Sequence, residues 1–178
     1  MKIKLATLKS SRKRDAVYAV AVSRAWSDEV AALDRSLRRK LLPEAKRQGF
    51  GGKPGECAVF QTHGTGPADY VLLLGVGDAP EGPAWQQAAH ALATRCADLR
   101  ASGAILRLPP RERLAVAVEY LAETLLTGSY RFDELRSSKR RSHALDSVTL
   151  AVDAVTAELQ GALRVALLSG GAVRYARD

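Results

Sequence analysis

The glycines of Gly75-Val76-Gly77-Asp78 are the residues whose spacing most suggests a binding site. They follow an unbroken apolar run and precede a helical pattern, where nucleotide-binding proteins place glycines so that backbone N–H groups surround a phosphate. The dinucleotide fingerprint needs a third glycine three residues further on, but position 80 is Pro80. The Gly-Lys-Ser/Thr signature of NTPase phosphate loops is also absent. The spacing therefore favours a structural turn over a phosphate cradle.

Metal-ligating and nucleophilic side chains are scattered along the chain. Three histidines occur, in a turn (His63), on a helix (His90) and in a basic loop (His143), without the pairing that metal ligation needs. Two cysteines, Cys57 and Cys96, are far apart and are predicted to pack as small hydrophobic groups in a reducing compartment. There is no Gly-x-Ser-x-Gly elbow. Taken alone, the residues predict no catalytic site and no metal site in this chain.

Basic residues outnumber acidic ones, 27 to 19, which gives a formal net charge of +8. Clusters of Lys and Arg attract phosphate backbones through counterion release, whereas the plainer interpretation is a solvated surface. Tyr130 and Phe132 are able to stack on a base, although packing against a sheet is the commoner use of such residues. The candidate nucleic-acid contacts are Arg12, Lys13, Arg14, Arg136, Lys139, Arg140 and Arg141.

A predicted strand and helix position the glycine turn. The run Tyr70 to Leu74 shows no polar/apolar alternation, which is typical of a central strand covered on both faces in an α/β sheet. Pro83 suits the first turn of the following helix, and apolar residues from Trp85 to Leu99 recur on one side of it. The two elements form half of a βαβ unit.

The remaining segments predict the order β-β-α-β-β-α-β-α-β-α. Lys2 to Leu8 alternates polar and apolar residues, which indicates a strand near an edge. One helix is expected from Ser27, with a buried stripe that reaches Leu41 and a kink or end at Pro43. The last helix is expected to be interrupted at Gly170-Gly171.

The whole chain, residues 1–178, is therefore expected to form one α/β domain with a mixed, mostly parallel sheet and helices on both faces. No apolar stretch approaches the roughly 20 residues that span a bilayer. The N-terminus also lacks the apolar segment of a secretory signal. We expect a cytoplasmic protein with no membrane partner.

Three glycine-containing segments and the last residues form a recognisable set. Residues 50–56 read FGGKPGE, residues 71–77 read VLLLGVG, residues 128–139 read GSYRFDELRSSK and residues 171–178 read GAVRYARD. They resemble, in this order, the F-x-G-K-x-G-E loop, the V-L-L-V-G-L-G strand and turn, the G-x-Y-R-F-D-x-Y-K-S-K segment and the G-x-x-x-A-R-D helix end of the leucyl aminopeptidase (cytosol aminopeptidase) family, in its N-terminal domain. The motif positions are Gly52, Lys53, Gly55, Glu56, Gly75, Gly77, Tyr130, Arg131, Phe132 and Asp133.

The resemblance implies a macro-domain-like fold, with a last helix of about residues 156–178 that would lead into a catalytic domain. In the family that second domain holds two divalent metal ions, zinc or manganese, which activate a water for attack on the first peptide bond. Its Asn-Thr-Asp-Ala-Glu-Gly-Arg motif has no counterpart here. We therefore expect this chain alone to hold no cofactor and to be inactive, with an assembly or regulatory role.

The resemblance also implies partners. The chain's own catalytic domain would be the first, in a hexameric parent enzyme, and its removal would expose an apolar patch near Val173 and Tyr175. Some bacterial members of the family bind DNA, which makes DNA a second expected partner. Macro-type domains of other families bind ADP-ribose at the crevice that corresponds here to Gly75–Asp78, an analogy of fold alone.

Overall fold

The computed structural model describes residues 1–7, 16–23, 27–110, 112–128 and 145–175, the side chains of residues 174 and 175 excepted. The strands in these ranges are β1 (Lys2–Thr7), β2 (Val17–Val22), β3 (Cys57–Gln61), β4 (Tyr70–Gly75), β5 (Gly103–Arg107) and β6 (Ser147–Val152). The helices are α1 (Asp28–Ser36), α2 (Leu41–Arg47), α3 (Gly82–Asp98), α4 (Leu114–Gly128) and α5 (Ala157–Tyr175).

The strands form one sheet in the order β1-β6-β5-β2-β4-β3. Every pairing is parallel except that of β3 with β4, which confirms the predicted mixed, mostly parallel sheet. Strand β1 is at an edge, as its alternating pattern predicts. The apolar run of β4 is buried on both faces, but β4 lies next to the edge strand β3 rather than in the middle of the sheet. An unbroken apolar run indicates that both faces of the strand are buried, and a strand next to the edge of the sheet can be buried on both faces.

Helices α3, α4 and α5 cover one face of the sheet. They bring Trp85, Leu121 and Leu159 into one cluster with Leu72 of β4 and Leu106 of β5, and each of these side chains is at least 95% buried. Burial of a large apolar side chain contributes roughly 1.5 to 3 kcal/mol to folding. Pro83 lies in the first turn of α3, as predicted.

Helices α1 and α2 cover the opposite face, where Val30, Leu41 and Ala45 pack against Val20 and Leu73 of the sheet. Ser27 caps α1 as predicted, since its hydroxyl accepts a hydrogen bond from the Val30 N–H at 3.3 Å. The sheet therefore carries helices on both faces, which confirms the predicted layers.

The expected single helix from Ser27 to Pro43 is wrong, because α1 ends at Ser36 and α2 begins at Leu41. The carboxylate of Asp34, which is 7% exposed, accepts a hydrogen bond at 3.0 Å from the N–H of Leu42 in the first turn of α2. Asp34 thus caps a helix that starts seven residues after it. Pro43 is the third residue of α2, where a backbone donor is not needed, so it neither kinks nor ends the helix.

Helix α5 runs through Gly170 and Gly171 to Tyr175, so the expected interruption is wrong. A Cβ built on Gly170 would lie 2.9 Å from Cδ1 of Leu126, which shows how closely α5 approaches α4. Packing against α4 offsets the cost of about 1 kcal/mol per helical glycine. In the part of the chain that the structure describes, no helix is long and apolar enough to cross a bilayer.

The apolar patch expected near Val173 and Tyr175 stays a prediction. Val173 is half-buried, and the side chain of Tyr175 lies outside the described residues. The exposed large apolar side chains of this helix are Val165, Leu167 and Leu168.

Replacement of Asp34 by Ala should lower the free energy of unfolding by about 1 to 2 kcal/mol, because the N–H of Leu42 loses its acceptor. The matched control is Asp98→Ala, which removes an exposed carboxylate paired with Arg95 at 3.2 Å and should cost at most about 0.5 kcal/mol. Urea denaturation of both variants measures the difference. Equal losses would show that Asp34 is not a cap.

Candidate functional site

The loop of residues 50–56 is closed by its own acidic residue. The carboxylate of Glu56 accepts hydrogen bonds from the backbone N–H of Gly51 at 2.7 Å and of Lys53 at 3.0 Å. The bond from Gly51, with that from Lys53, lowers the pKa of Glu56. Gly52 and Gly55 have φ of 78° and 83°, the left-handed region that suits glycine. The backbone N–H groups of Gly51 and Lys53, which could otherwise bind an external anion, therefore bind the carboxylate of Glu56.

The turn after β4 packs directly on this loop. The N–H of Gly75 donates to the carbonyl of Glu56 at 2.8 Å, and the N–H of Gly77 donates to the carbonyl of Gly52 at 2.9 Å. A Cβ on Gly75 would lie 2.0 Å from the carbonyl oxygen of Lys53. Gly77 has φ of 75°, and a Cβ there would lie 3.3 Å from the ring of Pro54. The two glycine motifs thus serve a backbone-to-backbone contact, which supports the structural-turn interpretation.

The remaining loop residues that match the family motif lie at the surface. The side chain of Lys53 is exposed, and Gly55 lies against Gln87 of α3, whose Oε1 would be 3.1 Å from an added Cβ. The expected ADP-ribose crevice near Gly75–Asp78 stays a prediction. Protein backbone already fills the space over Gly75 in that region.

Arg107 is the centre of a charged cluster that no sequence pattern predicts. This residue ends β5 at the carboxyl edge of the sheet, and it is 5% exposed. Its Nε donates to Oε1 of Glu29 at 2.6 Å, and its Nη2 donates to Oδ1 of Asp153. Burial opposes the charge, but the hydrogen bonds to Glu29 and Asp153 outweigh it, so the pKa of Arg107 is raised.

The position of this cluster is the one at which open α/β sheets usually bind ligands. From β2 the chain continues to β3 and β4, which lie on one side of β2, and then crosses to β5 and β6 on its other side. The strand order therefore reverses between β2 and β5. At this position Arg107 of β5 forms ion pairs with Glu29 of α1 and with Asp153, the residue after β6. A lone Arg at the end of an apolar strand is the only signal in the sequence, and its partners are 78 and 46 residues away.

The metal-ligating side chains and thiols of the described residues are the remaining candidates for a reactive site. No group of three or more His, Cys, Asp or Glu side chains in these ranges is arranged to hold a metal ion. Burial raises the pKa of the Cys96 thiol to about 12, with a further contribution from Cys57. Burial also raises the pKa of the Cys57 thiol, against the influence of Arg95. Neither thiol is therefore poised as a nucleophile at neutral pH.

Several predicted site residues lie outside the described residues. They comprise all seven candidate nucleic-acid contacts and the most specific family motif: Arg12, Lys13, Arg14, Tyr130, Arg131, Phe132, Asp133, Arg136, Lys139, Arg140 and Arg141. The roles expected for them stay predictions.

Replacement of Gly75 by Ala should lower the free energy of unfolding by about 2 to 4 kcal/mol, because the new methyl group meets the carbonyl of Lys53. The matched control is Gly161→Ala on α5, where nothing lies within 4 Å of an added Cβ. That change should raise the free energy of unfolding by about 0.5 to 1 kcal/mol through helix propensity. Denaturant titration checks both values, and a neutral Gly75→Ala would contradict the packing.

Comparison with known proteins places the chain in a family. The model of the cytosol aminopeptidase family, N-terminal domain, matches residues 17–139. A probable cytosol aminopeptidase of Pseudomonas fluorescens (strain SBW25) is 29% identical over 177 residues, which cover 93% of this chain and 35% of that protein. One from Syntrophotalea carbinolica is 35% identical over 125 residues, which cover 65% of this chain and 25% of that protein. The chain thus spans about a third of the length of the curated relatives it matches.

Solved structures agree on the fold. A mutant of tomato leucine aminopeptidase superposes with a TM-score of 0.81 at 17% identity, over 97% of this chain and 36% of that one. The macro domain of ganglioside induced differentiation associated protein 2 superposes with a TM-score of 0.63 at 12% identity, over 93% of this chain and 82% of that one. The macro-like fold is confirmed. Because the family model matches more than half of the residues of this chain, the chain belongs to the cytosol aminopeptidase family as an N-terminal domain.

Proposed function

We propose that this chain is the non-catalytic N-terminal domain of a metal-dependent aminopeptidase that removes N-terminal amino acids from peptides in the cytoplasm. The observation that carries the proposal is the family match over residues 17–139 in a chain that spans about a third of its relatives. The catalytic centre, with two zinc or manganese ions, belongs to a second domain in this proposal. The role of the present domain is assembly or regulation of the parent enzyme.

The outer face of α5 supports an assembly role. Gly161, Val165, Leu168 and Ala172 recur at spacings of four, three and four residues, so they share one side of the helix. Val165 is 53% exposed and Leu168 is 70% exposed, while Leu159 and Ala166 on the inner side are buried. An apolar stripe left open to water on an otherwise amphipathic helix favours contact with another protein surface. In the proposal that surface belongs to the parent's catalytic domain, within a hexamer.

The isolated chain should not hydrolyse a leucine chromogenic substrate when Mn²⁺ or Zn²⁺ is supplied. The reason is that the residues matched to the family are those of the N-terminal domain. Release of the chromophore over time is the measurement, and a complete cytosol aminopeptidase relative serves as the positive control. Turnover that requires added metal and disappears with a chelator would overturn the proposal.

A second candidate function is binding of DNA through basic surface residues. The net charge of +8 favours it. In the described part of the chain, the turn between α1 and α2 presents the exposed Arg38 and Arg39, both with φ of 56°. Left-handed backbone at a residue other than glycine costs about 1 kcal/mol or more, so the adjacent pair is held by its surroundings. The N–H of Arg39 donates to the carbonyl of Asp34 at 2.7 Å, which fixes this arrangement.

Duplex DNA should be shifted by the chain in a gel at low salt, and the affinity should fall steeply as salt rises. Reversal of both charges (Arg38→Glu with Arg39→Glu) should weaken binding by about tenfold or more, because phosphate contacts are replaced by repulsion. The matched control is Lys2→Glu with Lys4→Glu, two exposed residues of β1, which makes the same change in net charge. Equal effects of the two pairs would reject the turn as the contact, and no shift at low salt would reject DNA binding.

A further inference from the structure

A cleft of about 430 Å³ opens between α1 and the β3–β4 loop, on the face of the sheet that carries Tyr18. Its floor is formed by Tyr18 of β2 and Ile105 of β5, and its walls by Leu33 and Ser36 of α1 and by residues 65–67 of the β3–β4 loop. The pair of Tyr18 with Ile105 lies two residues before the pair of Val20 with Arg107, so the cleft is next to the Arg107 cluster, on the side of the amino ends of the strands. Its volume is within the range of small-molecule sites.

The hydroxyl of Tyr18 has no hydrogen-bond partner in the described part of the chain, although this residue is only 9% exposed. A buried hydroxyl without a partner is costly, and the tyrosines of protein interiors usually have one. Burial, with the nearby carboxylate of Glu29, raises the pKa of Tyr18 to about 12 against the influence of Arg107. The phenol is therefore protonated at neutral pH and is available as a hydrogen-bond donor.

The other two hydroxyls of the cleft are able only to accept. Ser36 Oγ donates its proton to the carbonyl of Leu33 at 2.6 Å, and Thr65 Oγ1 donates to the carbonyl of Thr62 at 2.6 Å. Each hydroxyl oxygen keeps its lone pairs for an incoming N–H. Of the described residues that line the cleft, none is charged. The site therefore combines an apolar body with one donor and two acceptors.

We propose that this cleft binds a neutral amide that carries an apolar substituent. The amide carbonyl accepts a hydrogen bond from the hydroxyl of Tyr18, and the amide N–H donates to Ser36 or Thr65, while the substituent packs on Leu33, Ile105 and Pro67. A free amino acid with two charges is disfavoured, because no charged residue lines the cleft and the nearby Glu29 and Arg107 are already paired with each other. The amide could be that of a small molecule or of an apolar peptide segment. The site is separate from any role in peptide hydrolysis and stands without the proposed function.

The probe is N-acetyl-L-leucinamide, titrated into the ¹⁵N-labelled chain. Saturable shifts are expected at the amides of Ser36, Thr65, Gly66 and Ile105, with no change in affinity between pH 6 and 9. Tyr18→Phe should weaken binding about tenfold, since it removes the donor and keeps the shape. The matched control is Tyr70→Phe, which removes the hydroxyl of a tyrosine that packs against the core on the other face of the sheet and should leave the affinity unchanged.

A second arm compares the probe with acetyl-trileucine amide. Tighter binding of the peptide identifies a peptide segment as the occupant, and equal affinity identifies a small molecule. Thermal unfolding of each variant establishes that it is folded before binding is compared. The absence of saturable shifts at the cleft at the highest soluble probe concentration would overturn the inference. Equal binding to Tyr18→Phe and Tyr70→Phe would overturn it as well.

Discussion

The contact between the loop of residues 50–56 and the turn of residues 75–77 is the constraint on which the β3–β4–α3 part of the fold depends. The carbonyls of Gly52 and Glu56 accept the N–H groups of Gly77 and Gly75, immediately beyond the last pair of the β3–β4 ladder, Cys57 with Leu74. The approach leaves no room for a side chain at Gly75. The antiparallel edge strand β3 begins directly after the loop, and α3 begins a few residues after the turn. The contact between loop and turn therefore fixes the positions of β3 and α3 relative to the parallel strands.

The rest of the domain follows from strands that are covered on both faces. Helices α3, α4 and α5 enclose one core, and α1 and α2 enclose the other. The buried charged side chains among the described residues form hydrogen bonds or ion pairs between different helices and strands. Asp34 joins α1 to α2, and Arg107 joins α1 to the ends of β5 and β6. Each such group is hydrogen-bonded, as a buried charge must be if the fold is to be stable.

The sequence predicted the elements whose signals are local. The cap at Ser27 and the proline at the start of α3 depend on a few neighbouring residues and were found where predicted. The unbroken apolar run of β4 predicted a strand covered on both faces, but not its place beside the edge strand. The break between α1 and α2 depends on a hydrogen bond from Leu42 to Asp34, and the continuity of α5 depends on Leu126 of another helix. The ion pairs of Arg107 and the cleft at Tyr18 join residues far apart in sequence. Composition and periodicity carry no information on such contacts. The family motifs of residues 50–56 and 71–77 did single out the two glycine-containing segments that contact each other.

The most direct test of the loop–turn constraint is native-state hydrogen exchange at the amides of Gly75 and Gly77. If their N–H groups are held by the carbonyls of Glu56 and Gly52, both amides should exchange as slowly as that of Leu72 inside β4, close to the rate set by global unfolding. Exchange as fast as that of Gly64, which lies on an exposed turn, would show that the two glycine motifs are not joined and would contradict this description of the fold.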